Sequence, residues 1–394
     1  MKTFYIDYTG DSLGNSSVKF HGGGDFSRFI IWKLHNKIAD KTNYQIVLLW
    51  PEGVNVDSLS EEEMKIRKTF KFIEINSIDN VKYCNGDVLF LPLLDCLSVK
   101  KIGFVKKTYP FVKVYGVLHG TRLLDVCKYD KYDKYYYTGI KSFLPYLWVR
   151  RWIAGWLSIY LMKQNLPLID KLYTVSNSSM QKINSIANTK YLKFFYRTIS
   201  ENLSNENRAN EKFFNDRFIL FINSNRYEKN FIRSLIAFCQ YKEENHDNLK
   251  LYVLGANKIL IENIKRIKDI NYKLVEDYVV FLGYLDVDKL RALYCECEFL
   301  LYTSKSEGYG LPPMEVLEAG RPSVVSSITS VPEVLGMSAY YVNPFSINDI
   351  KEGIKYMSLK ENQMKYVKMF PEMKKALIKR GTFDIEALID ELIE

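Results

Sequence analysis

One stretch of the sequence decides the fold: Tyr302-Thr303-Ser304-Lys305-Ser306-Glu307-Gly308-Tyr309-Gly310-Leu311-Pro312-Pro313-Met314-Glu315-Val316-Leu317-Glu318-Ala319-Gly320. The apolar run Phe299–Tyr302, which ends at the first residue of this stretch, is typical of a buried strand. Proline suits the first turn of a helix, and glycine commonly follows the last turn. The stretch therefore predicts a strand, a glycine-containing loop and a helix, in that order.

The loop and the start of the predicted helix offer a site for an anion. A helix N-terminus presents unpaired N–H groups and a partial positive charge, and glycines let a ligand approach the backbone closely. In an open parallel sheet, ligands bind beyond the carboxyl ends of the strands. Glu307 and Glu315 would flank such a ligand and accept hydrogen bonds from sugar hydroxyls. The simpler alternative is a helix cap with an acidic residue on the surface.

Strand-like and helical segments alternate along the 394 residues of the chain. This length exceeds what one hydrophobic core usually supports, so the pattern predicts two α/β domains, each with a parallel sheet. A polar stretch from 200 to 212 separates them, which gives domains at residues 1–205 and 213–375. The expected strands are Met1–Asp7, Gln45–Trp50, Asp87–Leu91, Lys113–His119, Lys171–Ser176, Phe218–Ile222, Leu249–Leu254, Val279–Leu282, Phe299–Tyr302 and Ser323–Ser326.

The residue spacing in the deciding stretch resembles that of a known family. Ser304-x-x-Glu307-Gly308-Tyr309-Gly310-Leu311-Pro312-x-x-Glu315 looks like the two-glutamate signature of family 4 of the retaining glycosyltransferases, which have the GT-B fold. The similarity extends to Val279–Tyr284 before it and to Ser330–Gly336 after it. The resemblance implies two Rossmann-like, doubly wound domains that face a cleft. It also implies a C-terminal helix, residues 376–394, that packs back on the N-terminal domain.

The resemblance implies a role for each part of the signature. Glu315 would bind the ribose of a nucleotide sugar, and Glu307 would bind the transferred sugar. The amides of Gly310 and Leu311 would bind the diphosphate. These roles agree with the hydrogen-bonding chemistry of the residues, because carboxylates accept and backbone amides donate.

A second family element supplies the cations. The segment Phe221–Asn230 resembles the strand and cationic loop that end in Lys-Asn in the family, so Lys229 is the expected phosphate cation. The family often has Gly-Arg or Gly-Thr where this chain has Asn223-Ser224, and Arg226 is the expected substitute. Cations here would neutralise charge that develops on the leaving diphosphate. A surface loop with charges at i and i+3 is the alternative. The expected donor-binding residues are Arg226, Lys229, Glu307, Gly308, Tyr309, Gly310, Leu311 and Glu315.

The N-terminal half resembles the family through a glycine run. Gly22, Gly23 and Gly24 would form the loop between the first strand and the first helix, where family members approach the acceptor and the donor phosphates. Asp25 or Ser27 would then cap the helix. The prediction is a close backbone approach to the substrates at this loop.

His119 completes the expected catalytic set with Glu307 and Lys229. It would end a strand at the edge that faces the cleft, where the family commonly has His-Asp and this chain has His119-Gly120. The orienting carboxylate is therefore missing, and a surface histidine is the alternative. The resemblance implies transfer with retention: the acceptor hydroxyl attacks from the side of the leaving group, and a phosphate oxygen takes its proton.

The net charge of +9 is concentrated between residues 99 and 163, which contain thirteen Lys or Arg and three Asp. Arg150 and Arg151 near the centre of the apolar stretch 143–162 argue against a membrane span. Segment 141–163 would therefore either lie on a membrane surface or pack within its own domain, and both interpretations stay open. An aromatic stripe on one helix face recurs every four residues: Leu144, Trp148, Trp152, Trp156 and Tyr160.

The remaining patterns exclude several kinds of site. Residues 1–7 lack the apolar block of a secretory signal, so we expect a cytoplasmic protein, either free or at the inner face of the membrane. No nucleic-acid-binding signature accompanies the positive charge. Asp286-Val287-Asp288 is interpreted as a helix cap and not as a metal ligand pair, so neither a metal nor another cofactor is expected. The cysteines lack zinc-ligand spacing and are expected to be reduced thiols: Cys84, Cys96, Cys127, Cys239, Cys295 and Cys297.

The sequence thus predicts a glycosyltransferase that moves a sugar from a nucleotide-sugar donor to a glycan. A lipid-linked intermediate of a surface polysaccharide is the expected acceptor. One alternative is a noncatalytic protein of the same fold that binds a nucleotide sugar or glycan and supports another transferase. A second is a nucleotide-sugar epimerase of this fold, which the two-glutamate signature disfavours.

Overall fold

The computed structural model describes residues 2–9, 22–38, 43–126, 130–198, 213–283, 285 and 287–394. The predicted polar stretch 200–212 and Asp286 lie outside the described residues. The chain forms two compact units. The first contains Met1–Thr121, Trp156–Tyr196 and Phe383–Glu394, and the second contains Arg122–Gly155 and Arg197–Thr382.

A parallel sheet forms the centre of the first unit. Its strand order is β3-β2-β1-β4-β5-β6-β7, and its central strands are almost wholly buried because helices cover both faces of such sheets. All of the strands predicted for this half are present, whereas β3 and β7 were not predicted. The strands are β1 (Lys2–Asp7), β2 (Tyr44–Pro51), β3 (Lys71–Ile75), β4 (Val88–Leu94), β5 (Lys113–Leu118), β6 (Lys171–Thr174) and β7 (Leu192–Phe194).

The first helix corrects one prediction. Gly22, Gly23 and Gly24 form its first turn and not the loop before it. Asp25 therefore lies in the first helical turn, and Ser27 is buried within the helix. The helices up to the end of β7 are α1 (Gly22–Ile38), α2 (Glu61–Thr69), α3 (Lys100–Thr108), α4 (Arg122–Asp125), α5 (Leu144–Asn165) and α6 (Asn177–Asn184).

The second unit contains a second parallel sheet, with strand order β10-β9-β8-β11-β12-β13. This is the order of a doubly wound Rossmann-like sheet, which reverses direction between β8 and β11. Together with the first sheet it confirms the predicted α/β class. The strands are β8 (Phe218–Phe221), β9 (Lys250–Leu254), β10 (Val279–Leu282), β11 (Phe299–Tyr302), β12 (Ser323–Ser326) and β13 (Tyr340–Val342), of which β13 was not predicted.

Helix α7 contributes strongly to the core of the second unit: between Phe231 and Tyr241, every residue except Arg233 and Gln240 is buried. The deciding stretch forms the predicted strand, loop and helix as β11, a loop and α11. The helices are α7 (Phe231–Glu244), α8 (Lys258–Ile264), α9 (Tyr272–Tyr278), α10 (Val287–Glu296), α11 (Leu311–Glu318), α12 (Val331–Leu335), α13 (Ile347–Ser358), α14 (Lys360–Val367) and α15 (Phe370–Ile393).

The segment Arg122–Gly155 belongs to the second unit, although the predicted boundary placed it in the N-terminal domain. Tyr132 and Tyr136 of this segment join the apolar core formed by α7 and the second sheet. Asp130 adds a buried ion pair with Arg233 of α7. The position of these aromatic and acidic side chains explains the difference, because none of their partners is near in sequence.

The end of the chain joins the first unit. Helix α15 spans Phe370–Ile393, and its last turns lie within the segment Phe383–Glu394, which belongs to that unit. There Glu391 accepts hydrogen bonds from the hydroxyl of Tyr173 at 2.9 Å and from the ammonium of Lys193 at 2.5 Å. Polar side chains on β6 and β7 therefore hold the last helical turns.

Helix α5 exposes the aromatic stripe and buries one of its two central arginines. Arg150 is exposed, whereas Arg151 is 8% exposed. The structure thus contradicts the interpretation that the stripe packs into a core. No helix in the described part of the chain is long and apolar enough to cross a bilayer. The exposed aromatic side chains are Trp148 (53%), Trp152 (60%), Trp156 (60%) and Tyr160 (50%), which we call the aromatic face of α5.

The cysteines within the described residues are free thiols, as expected. Burial raises the pKa of the Cys297 thiol to about 12 and that of Cys239 to about 12, so both stay protonated at neutral pH. Among the described residues, no three His, Cys, Asp or Glu side chains are grouped as ligands of a metal ion.

Candidate active site

The predicted donor residues of the second unit meet at the carboxyl ends of two neighbouring strands. Strand β8 leads into a single 3-10 turn, Tyr227–Lys229, and β11 leads into the loop that carries Glu307. These strands pair directly with each other, and the sheet reverses its order between them. Ligands of doubly wound sheets bind at such a point, so the topology favours this edge of the second sheet.

Lys229 and Glu307 form a buried ion pair at this edge. The Lys229 Nζ lies 2.5 Å from the Glu307 Oε1, and the two side chains are 7% and 10% exposed. Lysine and glutamate are seldom buried unless they are paired. The pair places a cation and a carboxylate next to each other at the carboxyl ends of these strands.

Tyr302, the last residue of β11, connects the two charges. Lys229 Nζ donates to the Tyr302 hydroxyl at 2.8 Å, and that hydroxyl donates to the Glu307 Oε1 at 2.5 Å. Burial, and next the charge of Glu307, raise the pKa of Tyr302 well above its ordinary value. The phenol therefore keeps its proton and orients the carboxylate.

Arg226 immediately precedes the Tyr227–Lys229 turn, and its side chain forms an ion pair with Glu228. Its Nε is 2.7 Å from the Glu228 Oε1, and Arg122 Nη1 reaches the same oxygen at 3.2 Å. Burial disfavours the charged form of Glu228, but the charges of Arg226 and then Arg122 outweigh it, so the pKa of Glu228 lies below its ordinary value. The turn thus presents Arg226, whose side chain is 39% exposed, beside the buried Lys229.

The backbone explains how Asn223 replaces the glycine that is common in the family. Its φ angle is +56°, in the left-handed region that glycine and asparagine adopt most readily. Gly255 packs closely against it: a Cβ on Gly255 would lie 3.4 Å from the Asn223 Cα. Asn230 ends the turn with φ +66°, and its side-chain amide donates to the Thr303 carbonyl at 3.1 Å.

The loop after Glu307 ends in a left-handed glycine. Gly310 has φ +93° and precedes Leu311, the first residue of α11. Pro312 and Pro313 follow, and proline has no N–H group. The amides available at this helix start are therefore those of Gly310 and Leu311, the two that the sequence predicted for the diphosphate.

Glu315 lies one turn into α11 and is held by α10. The hydroxyl of Tyr294 donates to its Oε2 at 2.8 Å. Burial, and next the charge of Glu315, raise the pKa of Tyr294 well above its ordinary value, so the phenol remains a donor. The carboxylate is fixed in orientation, as a ligand for a ribose would need to be.

The predicted residues of the first unit are held differently. The His119 Nε2 lies 2.8 Å from the carbonyl oxygen of Pro92. A carbonyl can only accept, so this nitrogen carries the proton. The imidazole packs edge-on against Phe26 of α1 with ring centroids 4.9 Å apart. Gly22 and Gly24 belong to the first turn of that same helix.

Sequence reasoning assigned no role to several residues that hold the site. Tyr302 and Glu228 each bond a predicted residue, and their positions, at a strand end and beside Lys229, were the available signals. Thr329, in the loop after β12, has φ +61°, which is rare for a β-branched residue. Its neighbour Ser330 donates to the Glu307 carbonyl at 3.1 Å, so this loop supports the Glu307 backbone.

Comparison with known proteins shows which family this region is similar to. Residues 204–380 match the family described as glycosyl transferases group 1. This segment is similar to that family, and we refer to it as the group 1 domain. The match contains the ion pair, the glycine loop and Glu315, and it confirms the resemblance that the signature indicated.

Two curated relatives and one solved structure illustrate the similarity. Serotype-specific mannosyltransferase WbdA of Escherichia coli is 33% identical over 138 residues, which are 34% of this chain and 17% of that protein. The O-antigen chain mannosyltransferase RfbU of Salmonella typhimurium is 27% identical over 47% of this chain and 50% of its own length. The matches thus span half or less of these relatives.

The fold is similar over the whole chain. A sucrose-phosphate synthase from Thermosynechococcus elongatus superposes with a TM-score of 0.67 at 14% identity, and the match covers 100% of this chain and 99% of that one. Identity this low shows the fold alone. The group 1 domain and its partner unit therefore have the predicted GT-B fold.

Proposed function

We propose that the protein is a retaining glycosyltransferase that moves a sugar from a nucleotide-sugar donor to a glycan acceptor. The observation that carries the proposal is the Lys229–Glu307 pair beside the Gly310–Leu311 amides, all in the group 1 domain. A cation, a carboxylate and free backbone amides at one sheet edge suit a sugar diphosphate.

Each group has a distinct task toward the donor. Lys229 and Arg226 neutralise the diphosphate, together with the amides of Gly310 and Leu311. Glu307, oriented by Tyr302, accepts hydrogen bonds from the transferred sugar. Glu315, oriented by Tyr294, accepts from the ribose hydroxyls. No metal and no other cofactor is part of the proposal, since cations and amides supply the stabilising charge.

The reaction exchanges one bond at the anomeric carbon. The bond to the diphosphate oxygen breaks, and the bond to the acceptor hydroxyl forms on the same face of the sugar. The hydroxyl proton goes to a phosphate oxygen of the departing nucleoside diphosphate. Lys229 stabilises the charge that appears on that leaving group. Because Glu307 and Glu315 bind and do not attack, no covalent sugar–enzyme bond forms.

The acceptor is proposed to be a lipid-linked glycan of a surface polysaccharide at the cytoplasmic face of a membrane. RfbU is named for the O-antigen chain, and WbdA and RfbU are both named mannosyltransferases, so a mannosyl donor is the first to test. The aromatic face of α5 and its basic surroundings suit a bilayer with anionic lipids, where tryptophan anchors and basic side chains attract headgroups.

The test of this function is a transfer assay with a panel of nucleotide sugars that begins with GDP-mannose. Purified protein is incubated with each donor and with membranes that carry lipid-linked glycans, and nucleoside diphosphate release is measured. NMR of the product then reports the anomeric configuration. We expect release that depends on the acceptor and a product that keeps the donor's configuration.

Other outcomes identify other functions. An inverted product would contradict the retaining mechanism. Conversion of the donor sugar without an acceptor would indicate an epimerase. Donor binding without either reaction would indicate a noncatalytic partner of another transferase.

A further inference from the structure

We call the Tyr227–Lys229 turn and the loop 303–310, which carries Glu307, the donor turns. A cluster of buried charges contacts both turns and has no role in the proposed chemistry. Arg151 of α5 forms an ion pair with Asp133, and the same aspartate binds Lys305 at 2.8 Å. Lys305 also reaches Asp130 at 3.2 Å, and Asp130 pairs with Arg233 of α7. Arg151, Asp133 and Lys305 are each 8% exposed or less, so water screens these pairs little.

Arg151 contacts one donor turn directly and is connected to the other through Asp133. Its guanidinium lies over the Tyr227 ring, 4.0 Å from the centroid, and Tyr227 begins the turn that ends in Lys229. Through Asp133 it also holds Lys305, which lies two residues before Glu307 in the other turn. The Arg151 guanidinium is thus connected to Tyr227, two residues before Lys229, and to Lys305, two residues before Glu307.

The two turns are also joined directly through Glu228. Its carbonyl oxygen accepts from the Lys305 backbone N–H at 2.7 Å and from the Ser304 hydroxyl at 3.1 Å. A change in the position of Lys305 is therefore passed to the turn that carries Lys229. The short distance between Lys229 and Glu307 depends on this register.

We infer that Arg151 is a positioning residue of the donor site, which holds the Lys229 turn and the Glu307 loop in register through Tyr227, Asp133 and Lys305. This inference rests on the proposed donor site. Buried ion pairs are not in themselves efficient sources of stability, because desolvation offsets most of the attraction. Removal of such positioning contacts can reduce catalysis strongly, since small misplacements of reacting groups matter.

The test compares Arg151→Met with Arg150→Met. Arg150 is the neighbouring exposed residue, so both variants lose one positive charge from α5 and only the first loses the buried contacts. Donor turnover is measured with the acceptor membranes of the transfer assay, and the affinities for the nucleotide sugar and the nucleoside monophosphate are measured without membranes. The monophosphate lacks the transferred sugar that Glu307 would bind and the outer phosphate of the diphosphate, and it keeps the ribose for Glu315.

We expect kcat and the nucleotide-sugar affinity of Arg151→Met to fall by about tenfold each relative to Arg150→Met. The monophosphate affinity should differ by less than about twofold, because Glu315 is held separately by Tyr294. Arg151→Lys keeps the charge but not the planar contact with Tyr227, so it should give intermediate values.

A second variant covers the case in which Arg151→Met does not fold. Asp133→Asn keeps the side-chain shape and weakens the link to Lys305, so it should show the same split between the two ligands. Equal loss of affinity for both ligands, or no loss in either variant, would overturn the positioning role while leaving the proposed function intact. A wild-type protein that binds no nucleotide sugar would overturn both.

Discussion

The donor turns and the aromatic face of α5 both depart from the usual distribution of side chains, in which charged groups are exposed and aromatic groups are buried. At the donor turns, charged side chains such as Lys229 and Glu228 are buried in pairs. On α5, tryptophans are exposed while Arg151 is buried. Folding alone favours neither arrangement, because charges lose hydration and aromatic side chains stay in water. The difference between the regions lies in the partner: the first suits a small anion, and the second suits an extended apolar surface.

Lys229→Ala should have the largest effect, on the donor turns alone. Loss of a cation that stabilises the leaving diphosphate should lower kcat/KM by about 10²–10³-fold. Steady-state kinetics and thermal unfolding of the same preparation measure the two effects together. The distinction between the two regions would be contradicted if vesicle binding fell as well, or if the loss of activity only followed a loss of folded protein.

Trp152→Glu should weaken the other region alone. Burial of one anchoring indole in the membrane interface contributes about 1.5–3 kcal/mol to binding. Its loss should therefore weaken binding to vesicles that contain anionic lipid at least tenfold. Co-sedimentation measures it. Phe383→Glu makes the same kind of change at a side chain that is 71% exposed on α15 and serves as the control. Equal binding of both variants would remove the membrane interpretation.

Tyr294→Phe should show that Glu315 contributes to donor binding independently of the Lys229–Glu307 ion pair. It removes one hydrogen bond to the Glu315 carboxylate, so nucleotide affinity should fall by about 2–10-fold with little change in kcat. Isothermal titration with the nucleoside monophosphate tests this. A fall in kcat with unchanged affinity would assign Glu315 a different role.

Glu228→Gln should have the smallest effect, on the free energy of unfolding at acid pH. The pKa of Glu228 in the folded protein lies below its ordinary value of 4.5, so its ionised form stabilises the fold above that pH. This contribution is lost as pH falls through the lower, folded-state value. Glu228→Gln should therefore lose less stability between about pH 5 and pH 3 than the wild type. Urea unfolding across this range measures the slopes, and identical slopes would contradict the ion pairing of Glu228.

The sequence predicted those parts of the donor site that local spacing determines. Glu307, Gly310 and Glu315 lie within nine residues of one another, and their strand, loop and helix follow from apolar pattern, glycine and proline. Lys229 was found through its own local motif. Strand β3 was missed because its residues are mostly exposed and its sequence, Lys71–Ile75, includes charges that are unusual in buried strands.

Long-range contacts explain what the sequence did not predict. The stripe on α5 has the period of a packed helix, but the buried face is the one that carries Arg151, whose partners are not adjacent in sequence. These partners, Asp133 and Tyr227, are 18 and 76 residues away. The glycines at residues 22–24 were expected in a loop because of the resemblance to the family, but here they begin α1.

The central claim is that the second unit binds a nucleotide sugar through Lys229, Glu307 and Glu315. The most direct measurement is the thermal shift of the wild type and of Glu315→Ala with a panel of GDP-, UDP-, ADP- and dTDP-sugars. A donor at 100 times its dissociation constant should stabilise the wild type by about 2.7 kcal/mol. We predict that one base gives this shift and that Glu315→Ala abolishes it. A shift that Glu315→Ala retains in full, or no shift with any donor, would contradict the claim.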